Sequence, residues 1–480
     1  MFRKIIALLL VASVSVCTFT ACKEKDDVKL DPKNPTTVTF WHYYNGETMM
    51  AFDNIVNDFN ESIGKDKGII VESVQMGSTN DIEAAILSSA RGEAGAAELP
   101  DMFLAYADTV YTVDSLGFVA ELNSYFSEKE LKQFDDNFLE EGRINGDSKL
   151  KIIPIAKSTE CFLLNDTDWQ KFAAATGADY SDLDTMENIA QTAEEYYNWT
   201  DSLTSELYDG KALFGRDAIA NMFIITSKSF DVELYGNKGN EPFLNVDETV
   251  MRKIWDYFYV PYISGYFTSI GKFRSDDVKI GELLSYIGST ASASYFPIEV
   301  TPENGQTYTI DYKVLPMPTF EGAKNVSVQQ GAGVAVTKST KESEYASCEF
   351  IKYFTKDDNN IEFSGKSGYL PVKKSALNYD VIKSKLSDFT MKPLTDSTLQ
   401  VTLESINDST FFTNKPFKNG VEARTILSDF EIKCQNDRQA VLNTISKGET
   451  LENAVAAFNT DENFNEWYTQ FSTSLFLLFS

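Results

Sequence analysis

A two-lobed α/β fold is predicted by three observations. The chain has 480 residues, 43% of them hydrophobic, more than one small core needs. From residue 37 onward short apolar runs alternate with stretches of helical spacing, the pattern of a sheet covered on both faces. Beyond "SGYLPVKKSA" the sequence turns predominantly helical.

The elements follow in order. "TVTFW" reads as a strand, and Phe52, Ile55, Val56 and Phe59 recur at helical spacing after it. "IIVESVQM" is a second strand. Ile82, Ala85, Ile86 and Ser89 then mark another helical face, and "LPDMFLAY" a third strand. "KLKIIPIAKSTECFLLN" reads as two strands joined by a short polar turn, a plausible crossover into a second lobe. "YKVLPMPTFEG" runs from strand into a proline-punctuated segment, followed by "VSVQQGAGVAVT". A helix is predicted from about Lys341 to Phe354, with Tyr345, Cys348, Ile351 and Phe354 on its apolar side. "VEARTILSDFEIKCQ" and "LENAVAAF" continue as helices, and no internal repeat is found.

The formal charge is -28. Such a field repels nucleic acid and anionic head groups and favours solubility, so no nucleic-acid partner is expected. At the N-terminus, Arg3 and Lys4 precede the apolar run "IIALLLVASVSV", and "FTAC" places the small Ala21 before Cys22. The run is too short for a stable membrane span. It resembles a bacterial lipoprotein signal over residues 1–21, with Cys22 acylated as the mature N-terminus, although Phe19 stands where such signals usually carry leucine. Ordinary secretion with cleavage nearby is the alternative. Residues 22–36 are charged and contain two prolines, which suits a flexible tether between lipid and fold. Of the remaining cysteines, Cys161 lies in "CFLL" and Cys348 on an apolar helix face. These and Cys434 read as buried thiols rather than a disulfide framework.

Catalytic patterns are missing. His42 is the only histidine, which excludes a multi-histidine metal site and any histidine-dependent triad that does not use it. No serine sits in a G-x-S-x-G elbow. "SGKSG" lacks the first glycine of a phosphate-binding loop, because Asn360 occupies that position, and "QQGAGVAV" lacks the dinucleotide spacing. Acid pairs such as Glu140 and Glu141 neither identify nor exclude a glycosidase among 71 acids. No cofactor is expected, and nothing demands a metal.

Four segments in order carry a resemblance. "TFWHYYNGETMMAFDNIVNDFNES" is similar to the first strand and helix of the family 1 extracellular solute-binding proteins, receptors of ABC importers for sugars and polyols. "GSTNDIEAAILSSARGEAGAAELPDMFLAYADTVYTVDSLGFVAELNSYF" resembles their next strands and helix. "IPIAKSTECFLLND" resembles the entry to their second lobe, and "GAGVAVTKSTKESEYASCEFIKYFT" with "SGYLPVKKSA" their glycine-rich strand, helix and return. The resemblance covers residues 37–460 and is weakest from 175 to 280.

It implies a periplasmic-binding-protein-like (type II) fold with a hinge and an interlobe cleft. The first lobe is expected from residues 37–152 plus 322–367, the second from 153–321 plus 368–480. It also implies a monomeric receptor anchored by lipid to the cell membrane, facing the extracellular space or a periplasm. Such a receptor closes on a sugar or polyol and presents it to permease subunits without chemistry. A secreted glycan-active enzyme, or a surface sensor of the same fold, is the alternative.

The glycerol-phosphate branch of the family suggests binding residues: Ser158 in the polar turn, Ser292 in "ASASY", Gly331 as a close-approach glycine, Tyr369 on the hinge side, and Arg424 for phosphate. Thr79 and Asn80 stand where that branch carries a tyrosine and an acid that read glycerol hydroxyls, so a neutral sugar, an oligosaccharide or another phosphorylated polyol stays open. Arg216 and Asp217 in "ALFGRDAIANMF" could grip hydroxyls as a pair, or Asp217 could cap a helix. Trp41 and His42 end the first strand, with His42 expected at the cleft rim.

Overall fold

The structure, a computed structural model, describes residues 28–480 except 239, 240, 304, 388, 389 and 480. The signal sequence and Cys22 lie outside the described residues. Strands β1 (Thr36–His42), β2 (Ile69–Gln75) and β3 (Met102–Ala105) are each followed by a helix, α1 (Gly46–Phe59), α2 (Thr79–Arg91) and α3 (Ala107–Ser115). In the second half lie β4 (Glu160–Asn165), β5 (Ala212–Arg216), helix α4 (Ile219–Ser229), β6 (Leu283–Ser289) and β7 (Tyr312–Leu315). The chain then returns through β8 (Val326–Val328), β9 (Gly333–Val336) and helices α5 (Lys341–Phe354) and α6 (Asp357–Ser367). It closes with α7 (Pro393–Ser405), β10 (Thr410–Phe412), α8 (Gly420–Ser428), α9 (Phe430–Ile445) and α10 (Asp461–Leu477).

Two four-stranded sheets organise two lobes. The first runs β9-β3-β1-β2, with β1 parallel to β2 and β3, and β9 antiparallel on β3. The second runs β7-β4-β6-β5, mixed in direction. Both central strands are apolar because both faces are covered. Val38 and Phe40 on β1, and Phe162, Leu163 and Leu164 on β4, are wholly buried. Around β1, Phe52, Phe59, Phe350 and Phe354 pack edge-on or tilted, so the helices read from Phe52 to Phe59 and from Cys348 to Phe354 close on one aromatic core. Trp255, Phe430, Trp467 and Phe471 form the corresponding centre of the second core. Cys161, Cys348 and Cys434 are buried free thiols.

The cores do not switch at the expected residues 322 and 368. Ala323 packs on the second core, whereas Tyr369 and Val372 belong to the first. The lobes are joined by strand-like crossings. Ser158 pairs with Gln330 through both backbone bonds at 2.9 Å, and Lys157 pairs with Leu370. The expected first strand of "KLKIIPIA" forms only an isolated bridge, Ile153 to Val334.

Candidate functional site

Residues that follow β1 and β6 meet between the two sheets, Asn45 from the first and Tyr295 from the second. Tyr43 and Tyr44 follow β1, the first turn of α2 follows β2, and Tyr106 and Asp108 follow β3. From the second lobe come Arg216 and Asp217 after β5, and Ser292 in the turn after β6. The lobes touch across this line. Tyr295 donates to Asn45 at 2.7 Å, Lys392 pairs with Glu47 at 2.7 Å and Lys415 with Glu140 at 2.8 Å.

Arg424 is the centre of the arrangement. It stands half-buried on α8, anchored in the second lobe by Ala423 and Leu427, and its Nη2 donates to Asn221 Oδ1 at 2.8 Å. Asn221 donates in turn to Glu160 at 3.1 Å, and Glu160 accepts from Arg216. A buried polar chain thus leads from β4 and β5 to the cleft. Across the cleft stand Glu83 on α2, Tyr106, and Asp108 in the first turn of α3, all within the field of Arg424. Gly420, at the start of α8, lies directly against Asp108, so no larger residue fits between the lobes there.

Enclosure sets the electrostatics. Burial pushes the Asp108 carboxyl up to about 6, opposed by Arg424, and raises Glu83 above the usual carboxylate range. Tyr106 is 36% exposed, yet its phenol is pushed up to about 12, the behaviour of a group in a deep concave wall. Tyr43, Tyr106 and Tyr369 gather beside the glycine turn, where the Ala332 amide donates to the Tyr43 hydroxyl at 3.4 Å.

The residues read from the sequence divide. Gly331 has φ +89°, and a Cβ there would stand 2.7 Å from the Ala156 carbonyl oxygen, so it is a close-approach glycine. Ser158 is buried beside it in the crossing. Tyr369 packs within reach of Tyr44. Thr79 is half-buried and Asn80 exposed in the first turn of α2, which Ser78 caps. Ser292 is half-buried and donates to its own turn at Ser289.

Arg216 and Asp217 do not act as a pair. Arg216 is committed to Glu160, while Asp217 accepts from the Arg274 amide at 2.9 Å and makes no cap on α4. Nor does His42 reach a rim. It is 1% exposed between Phe52 and Tyr44, accepts from the Tyr44 amide on Nδ1, and burial lowers it to about 4. Trp41 is buried beside it.

Sequence reasoning missed Glu83, Tyr106, Asp108 and Asn221. Only Glu160 carried a signal, as the one charge in "ECFLLN". Among the described residues no His, Cys, Asp or Glu cluster could hold a metal ion, and no helix is long and apolar enough to cross a membrane.

A two-lobed α/β receptor with polar and aromatic groups converging on an interlobe cleft is the class this geometry defines. The chain belongs to the bacterial extracellular solute-binding protein family, whose model matches residues 54–390. Among solved structures it is similar to the cyclic α-maltosyl-1,6-maltose binding protein of Arthrobacter globiformis, with TM-score 0.65 and 15% identity over 93% of this chain and 99% of that one. It is similar to an ABC substrate-binding protein of Listeria monocytogenes in complex with cycloalternan, with TM-score 0.63 and 15% identity over 90% and 98%. UgpB of Mycobacterium tuberculosis in complex with glycerophosphocholine gives TM-score 0.61 and 18% identity over 91% and 98%. At such identities the likeness is one of fold. No curated protein matches the chain.

Proposed function

We propose that this chain is the capture subunit of an ABC importer for a carbohydrate or polyol, free or phosphorylated, and that it works as a monomer without catalysis. It would be held at the outer membrane face by lipid on Cys22. The observation that carries the reading is the placement of Arg424 on the second lobe opposite Glu83, Tyr106 and Asp108 on the first. A hydroxyl can donate to a carboxylate and accept from a guanidinium at once, so a polyol fits between these groups. The maltosyl, cycloalternan and glycerophosphocholine ligands of the similar structures support the same chemical class. A ligand that touches both lobes binds their apposed form better than the separated form and shifts the population towards it. The permease would then read that shape.

The test is a thermal-shift screen of the soluble chain from about residue 25 against monosaccharides, oligosaccharides, glycerol phosphates and glycerophosphodiesters. A ligand at a thousandfold over its dissociation constant adds about 4 kcal/mol. Silence across the panel, or turnover of a glycoside by the purified protein, would overturn the reading.

A further inference from the structure

Charge in the cleft narrows the ligand class, an inference that rests on the receptor reading above. Besides Lys392 and Lys415, already paired with Glu47 and Glu140, three cations, Lys157, Arg216 and Arg424, stand with Glu83, Asp108, Glu141 and Glu160 along the buried polar chain and the cleft. Lys157 is buried and bound to Glu141 at 2.6 Å and to the Gly331 carbonyl at 2.6 Å. Arg216 is buried against Glu160. Neither has its charge free for a ligand. Arg424 is the third, and it donates to the neutral Asn221 while Glu83 and Asp108 face it from the opposite lobe.

Those two carboxylates are fixed in place. Glu83 accepts from the Tyr106 amide at 3.4 Å, which ties α2 to the end of β3. Asp108 is held against the start of α8 at Gly420. A phosphate monoester, carrying about two negative charges at neutral pH, would meet Arg424 only by entering the field of both. An uncharged polyol meets no such penalty, because its hydroxyls donate to the acids and accept from the guanidinium.

We infer that Glu83 and Asp108 are specificity-determining residues that exclude anionic polyols, so that the receptor takes an uncharged carbohydrate. Specificity of this kind comes from like charge placed against the wrong ligand.

The experiment uses inorganic phosphate and glycerol 3-phosphate as probes, with sodium chloride at matched ionic strength as control, and reads the thermal midpoint and calorimetric heat. The wild-type chain is expected to show no response beyond the chloride control. The Glu83→Gln/Asp108→Asn double variant is expected to bind phosphate at least ~10-fold more tightly than wild type, and further replacement Arg424→Gln should abolish the gain. Each single variant, checked for native near-ultraviolet circular dichroism, should give part of it, which covers a double variant that fails to fold. Arg424-dependent phosphate binding by the wild type would overturn the inference, as would folded variants that remain indifferent to phosphate. A neutral-sugar panel run beside it separates the two readings. If every neutral sugar is silent while the variants gain phosphate, the charge filter stands and the carbohydrate receptor falls.

Discussion

The Glu160 carboxylate and the Arg216 guanidinium are paired inside the second lobe, from strands separated by β6 in the same sheet. Both residues are less than a tenth exposed. Replacing Arg216 with Met would leave a buried carboxylate whose one remaining partner is Asn221, and should cost about 3–5 kcal/mol. Urea denaturation checks this. The Glu160→Gln/Arg216→Met pair should recover most of the loss, and recovery of none would show that the pair does not set the cost.

Gly331 should not tolerate a side chain. Gly331→Ala must accept a left-handed backbone and a Cβ pressed on the Ala156 carbonyl, at about 2–4 kcal/mol. A thermal midpoint unchanged by the substitution would mean that the crossing segments can separate freely.

His42 gives a clean spectroscopic test, being the only histidine. Its imidazole protons should titrate with a midpoint near 4 in the folded protein, because burial disfavours the cation and only Asp53 opposes this. The unfolded chain takes up this proton near 6.5. Stability from the neutral His42 is therefore complete above that value and lost as pH falls towards 4. A folded-state midpoint near 6.5 in proton NMR would contradict the buried placement.

Asp217 should act with the opposite sign. Burial raises its carboxyl to about 6, with the Arg274 amide and guanidinium pulling it back. Between roughly 4 and 6 the folded chain then binds more protons than the unfolded one, so stability falls as pH rises through that window. Asp217→Asn, which keeps an acceptor for the Arg274 amide, should flatten this slope in urea midpoints measured across the window. An unaltered slope would assign it to Asp108, which is raised to about the same value.

Much of the framework was legible because local pattern and tertiary burial agree. The Lys341–Phe354 helix appears with the bounds its spacing predicts, and Cys348, Ile351 and Phe354 are buried as read. "IIPIA" misled, since an apolar run predicts a strand, yet its backbone is shared out to Val334 by a single bridge. The site was harder. Glu160 lay within a quoted motif, but its partner is 56 residues away, and no spacing rule joins them. Tyr106, Asp108 and Glu83 draw their meaning from the facing lobe, where α8 arrives from the far end of the chain. Gly331 was readable because a glycine signals close approach by itself.

The order of strands in the first sheet bears on how the chain is made. β9 completes that sheet against β3, although the whole second sheet is encoded between them. Until residue 336 has left the ribosome, β3 keeps an open edge, and the second core stays unfinished until Phe464, Trp467 and Phe471 arrive. The nascent protein is thus late to become compact, with one edge of β3 open for about half of its synthesis. The same delay keeps the polypeptide threadable until its last helix is made.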